Sequence, residues 1–63
     1  MKLTERRYQT LCNNNAGYCQ YCDKVTQPSG VEPDAEGYDC PKCFKMGIMG
    51  IEQALLVGCL DIE

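Results

Sequence analysis

Two cysteine pairs constrain this chain more than anything else in it. Cys19-Gln20-Tyr21-Cys22 and Cys40-Pro41-Lys42-Cys43 stand seventeen residues apart in a sequence of only 63. A chain of that length buries only about 60% of the surface its unfolded form exposes, so an apolar core alone is marginal. One Phe, four Tyr and no Trp make the aromatic supply thin. Small scaffolds of this kind rely on disulfides, a metal or oligomerisation for the rest of their stability.

A CxxC turn sets two sulfurs on one side of a tight backbone bend, and two such turns facing each other supply the four-thiolate tetrahedron that Zn²⁺ accepts readily. The seventeen-residue gap falls inside the spacing of roughly 15 to 20 that marks such sites. Cys19, Cys22, Cys40 and Cys43 are therefore the expected ligands of one structural Zn²⁺. Four protein thiolates leave no open position for water or substrate, and the chain contains no His to act as a base. With no Ser/His/Asp set and no phosphate-cradling glycine loop, no enzymatic activity is expected.

Other uses of the cysteines are possible chemically. A disulfide framework would suit six cysteines in a secreted protein. The first ten residues, however, lack the apolar stretch of about 7 to 15 residues that export requires. The expected home is cytoplasmic, where thiols stay reduced. A thioredoxin-like redox pair needs a βαβ setting too large for this chain. Rubredoxin-like iron is the closest chemical rival, since four thiolates hold iron too. No membrane association is expected either, because the longest apolar run, 54–60, is far short of the roughly 20 residues that span a bilayer.

Along the chain, residues 4–12 read as a short helix. Thr4 is its N-cap, Glu5 sits where the helix dipole favours an acid, and Leu3 and Tyr8 form a hydrophobic staple. NNNAG at 13–17 ends it, Asn and Gly being the residues that tolerate a left-handed conformation. Pro28, Gly30, Pro33 and Gly37 punctuate the connection between the cysteine pairs, leaving room for a short hairpin of 24–27 with 36–39 or an irregular loop. Pro41 suits the first turn of a helix opening at Cys40. From Ile51 to Ile62 the apolar residues recur at helical spacing, which predicts a C-terminal helix over 51–62. The expected fold is a single small metal-stabilised α+β domain over 1–63. Two zinc knuckles lie within 18–46, between a short N-terminal helix and a C-terminal helix. Cys12 and Cys59 fall on the apolar faces of these helices and read as small buried hydrophobes, a further metal ligand pair or a redox-sensitive pair being the alternatives.

The region from Cys19 to Cys43 resembles the four-cysteine zinc fingers of the zinc-ribbon and treble-clef types. Its spacing is similar to that of GATA-type fingers and of the zinc segment of the DksA/TraR family. The resemblance covers about twenty-five residues and implies metal ligation by the four cysteines. Glycine commonly follows each CxxC in rubredoxins and many zinc ribbons, whereas Asp23 and Phe44 take those places here.

The formal net charge is −3, and four thiolates around a divalent ion add two more negative charges. Glu32, Asp34, Glu36 and Asp39 form an acidic run read as a solvated loop. A chain so acidic has no general attraction for phosphate, which disfavours nucleic acid. The predicted 51–62 helix is apolar around most of its circumference, with little chain to cover it. That mismatch points to a protein partner or a second copy, docking on Ile48, Met49, Ile51, Leu55, Leu56 and Leu60. The expected function is a structural-zinc protein-interaction module: an adaptor, regulator or inhibitor of a larger complex. The alternatives are a nucleic-acid-binding finger using Arg6, Arg7, Lys42 and Lys45 and, second, a rubredoxin-like electron carrier.

Overall fold

The computed structural model describes residues 1–63 and is a small α+β protein with two helices and two sheets. In chain order the elements are β1 (Lys2–Leu3), α1 (Glu5–Asn13), β2 (Gly17–Cys19) and β3 (Lys24–Gln27). They continue as β4 (Glu36–Tyr38), β5 (Ile48–Gly50), α2 (Ile51–Leu56) and β6 (Asp61–Ile62).

Helix α1 starts where the capping signals place it. The Thr4 hydroxyl accepts the Arg7 amide at 3.1 Å, and Leu3 and Tyr8 pack in the same apolar cluster. The helix stops in a Schellman motif: the Ala16 amide reaches back to the Leu11 carbonyl and the Asn15 amide to that of Cys12, with Asn15 at φ 55°. Leu11 and Ala16, the apolar pair such a motif brings together, are both buried.

A four-stranded antiparallel sheet in the order β3-β2-β5-β4 forms the centre. Strands β2 and β5 pair in its middle, Tyr18 opposite Met49 and Cys19 opposite Ile48. Successive strand residues face opposite sides, and the two sides carry separate cores. Tyr18 and Met49 join Leu3, Leu11, Ile51 and Leu60 under the helices, while Cys19 and Ile48 join Val31 and Cys40 on the other side. Segments 24–27 and 36–39 are extended in large part, as expected, but they do not pair with each other. Strand β3 lies against β2 and β4 against β5, on opposite edges, because each pairs with the strand nearest to it across a cysteine turn.

The C-terminal segment departs most from its expected form. The helix covers only Ile51–Leu56 instead of 51–62. Gly58 at φ 86° closes it in a second Schellman motif, Cys59 amide to Ala54 carbonyl and Gly58 amide to Leu55 carbonyl. The reversal tucks Leu60 into the core and lays β6 parallel to β1. Ile48 and Met49 are strand residues, not part of the helix surface. The expected docking face is therefore divided. Ile48, Met49, Ile51 and Leu60 are core residues, Leu55 is half-buried, and of the six only Leu56 is broadly exposed, at 74%. No helix is long and apolar enough to cross a membrane.

Candidate metal centre

Each CxxC pair sits where one strand of the sheet turns back into its neighbour. Cys19 ends β2, and Cys22 lies in the turn before β3. Cys40 follows β4, and Cys43 lies in the turn region before β5. The two turns are closed in the same way. The Asp23 amide donates to the Cys19 carbonyl at 2.8 Å, and the Phe44 amide donates to that of Cys40 at 2.9 Å. The residue after each pair is left-handed, Asp23 at φ 54° and Phe44 at φ 62°. Glycine adopts this conformation most easily, so both turns make a backbone demand that Asp23 and Phe44 meet without it.

Pairing of β2 with β5 brings the two turns face to face. All four Sγ atoms lie within 4.8 Å of one another, with Cys19 to Cys43 at 3.6 Å and Cys22 to Cys40 at 3.9 Å. A tetrahedron with metal–sulfur bonds of about 2.3 Å has sulfur–sulfur edges of about 3.8 Å. The sulfurs are thus already spaced for one ion, and the donor set fits a metal that prefers thiolates.

The four ligand positions are not equivalent. Cys19 and Cys40 are buried, and each sulfur accepts a backbone amide at 3.4 Å, from Cys22 and Lys42 respectively. Cys22 and Cys43 are half-exposed. Without a metal, burial foremost pushes the Cys19 and Cys22 thiols up, Cys22 to about 12. Burial acts on Cys40 in the same direction, but the Thr26 hydroxyl and the amides of Cys43 and Lys42 outweigh it and hold this thiol at about 6. Metal binding must therefore expel protons from the raised thiols, and affinity falls as pH falls.

Thr26 escapes sequence reading, since nothing marks a β-strand threonine as a partner of a distant cysteine. Its hydroxyl lies 3.2 Å from the Cys40 sulfur. It reaches from β3, in the first strand pair, to a ligand of the second. Outer hydrogen bonds of this kind are worth about 10- to 100-fold in metal affinity. Thr26→Val, which keeps the shape and removes the donor, is expected to weaken metal binding at least about tenfold in chelator competition, with Thr26→Ser close to wild type. Equal affinities for Val and Ser would show that the hydroxyl contributes nothing.

Around the first turn, the Tyr18 hydroxyl donates to Asp23, whose carboxylate also lies 3.5 Å from the Met1 ammonium. The tyrosine hydrogen bond foremost, then the ammonium, holds the Asp23 carboxyl below its ordinary range. Phe44, the counterpart of Asp23 in the second turn, is 86% exposed. Cys12 and Cys59 stay apart from the four ligands and pack, half-buried, against the helix-side core. No protein-family model, curated protein or solved structure matches the chain.

Proposed function

We propose that Cys19, Cys22, Cys40 and Cys43 hold one structural Zn²⁺ as two facing knuckles of the zinc-ribbon type, and that the folded unit is a protein-interaction module. The observation that carries the metal reading is the spacing of the sulfurs, 3.6 and 3.9 Å on opposite edges of a ready tetrahedron. The ribbon type is favoured over the treble clef because a strand, β5, follows the second pair where a treble clef opens a helix. Zn²⁺ in a closed thiolate site supplies folding energy and no open coordination position, so the cysteines serve the architecture and the surface serves the function. A cytoplasmic setting suits cysteines that must stay reduced to ligate.

The interaction reading rests on what the metal holds in place. Tyr21, Phe44 and Met46 stand exposed at the metal end, and Leu56 and Val57 at the far end of α2. So many large apolar side chains in solvent on a chain this small favour a partner. Native mass spectrometry of the purified protein tests the metal half directly. One zinc per chain in a colourless protein is expected, whereas a coloured protein with one iron would replace this reading with electron transfer.

A further inference from the structure

Phe44 is the only phenylalanine of the chain, and its placement runs against both habits of that residue. It is 86% exposed, and it occupies φ 62°, a conformation that costs an L side chain strain and suits glycine. The cysteine turn accounts for the left-handed backbone, as it does at Asp23, but nothing in the fold accounts for a large apolar side chain held there in solvent.

Its surroundings define a surface. Pro41 and Phe44 form the apolar walls of a concavity of about 370 Å³, completed by Gln27, Asp39 and Cys40. That volume lies near the small end of ligand pockets, which run from roughly 300 to 1,000 Å³, and has room for apolar side chains of a partner. Lys42 and Lys45 flank Phe44 and are the only charged residues from Cys40 to Gly47. Both are exposed, and no carboxylate of the chain lies within ion-pair distance of either. Lys45 instead lies over the Tyr21 ring, 5.0 Å from its centroid, so the first cysteine turn extends the same surface.

We propose that this loop, residues 41–46, docks an acidic peptide segment of a partner protein, with Phe44 as the apolar anchor and Lys42 and Lys45 as the charges that meet its carboxylates. The proposal rests on the interaction-module reading and gives it a location and a partner chemistry. Exposed aromatics are enriched at protein interfaces, and rim lysines steer an oppositely charged partner to them. A nucleic-acid strand fits less well. With Asp39 in the concavity wall and a net charge of −3 on the chain, a peptide whose few carboxylates meet Lys42 and Lys45 is better matched than a polyanion charged along its whole length.

The test is selection of a displayed library of random twelve-residue peptides on the zinc-loaded protein. Selected peptides are expected to carry net negative charge and at least one large apolar residue. Their binding should weaken at least tenfold in Phe44→Gly and in the Lys42→Glu/Lys45→Glu double variant, fall with added salt, and be unchanged in Leu56→Ser. Phe44→Gly fits the backbone better than the native residue, so zinc content and circular dichroism should be retained and the loss should belong to the surface. Peptides that are neutral or basic, or that bind Phe44→Gly as well as wild type, overturn the proposal. Peptides lost only in Leu56→Ser leave the interaction module standing and move its surface to α2. No enrichment on any face overturns both. A labelled twelve-nucleotide oligo-dT whose binding requires Phe44 would replace the peptide with single-stranded nucleic acid.

Discussion

Chelation of the metal, or Ser at any one of Cys19, Cys22, Cys40 and Cys43, is expected to unfold most of the chain. At roughly 0.05–0.15 kcal/mol per residue, 63 residues sustain about 3 to 9 kcal/mol of stability. Structural zinc in small fingers binds with about 10 to 16 kcal/mol at neutral pH, so the ion contributes more than the chain can spare. The packing gives the same answer. Two of the four residues in the second core, Cys19 and Cys40, are themselves ligands, with only Val31 and Ile48 beside them. Without the ion, that side of the sheet is Val31, Ile48, the half-buried Ala35 and a set of thiols that repel one another once ionised. Loss of the buried ligands should be the more severe, and Cys22→Ser and Cys43→Ser the milder pair, because their positions are half-exposed. Amide NMR dispersion followed during chelator titration decides the matter. Dispersion that survives complete metal removal would show the apolar cores to be sufficient.

Gly50→Ala is the second change expected to be severe. Gly50 ends β5 and caps α2, and its amide donates to the Ala35 carbonyl at 2.7 Å. Three residues on, the Gln53 amide donates to the Pro33 carbonyl at 2.8 Å, so the segment 33–35 is bound along this corner. A Cβ on Gly50 would overlap the carbonyl oxygens of Glu32 and Pro33. These are backbone atoms and cannot rotate away. The strain is relieved only by breaking the two hydrogen bonds or shifting the strand, at a cost of about 3 kcal/mol or more, the upper end of overpacking penalties. That is comparable with the whole stability at the low end of its range. Gly30→Ala is the natural control: its φ is 86° but a Cβ there meets nothing within 4 Å, so strain of about 1–2 kcal/mol is all it adds. Urea unfolding at a fixed free-metal concentration compares the two. Equal midpoints would mean that the 32–35 backbone yields to the added methyl group.

What could be read from the sequence was local. The Thr4 cap, the NNNAG stop and the two cysteine turns that meet in one cluster are each specified within a few residues, by a hydroxyl, a left-handed asparagine or a fixed cysteine interval. The long-range pairings were not of this kind. Strands of three or four residues carry too little periodicity to name a partner, and β3 and β4 lie on opposite edges because β2 and β5 fill the middle. The helix expected over 51–62 is shorter in the structure, Ile51–Leu56, for a related reason. Short apolar runs do not distinguish strand from helix. The helical spacing continued through Gly58, the residue whose freedom at positive φ ended the helix. Thr26 and Phe44 were hidden differently: their significance lies in a sulfur and a solvent-facing concavity that only the assembled sheet creates.

The small parallel pair of β1 with β6 sets an order of events. It joins Lys2 with Asp61 and Leu3 with Ile62 across nearly the entire chain, and two residues on each side hold it. By contrast, β2 and β3 are linked by a four-residue turn and need travel little to meet. Closing the longest loop carries the largest entropy cost for the fewest hydrogen bonds, so this latch should form last and release first. Its amides, Asp61 bonded to the Met1 carbonyl and Glu63 to that of Leu3, would then exchange with solvent through local opening while the central sheet stays shut. The molecule would breathe at the seam where its two ends meet, leaving the cysteine end rigid.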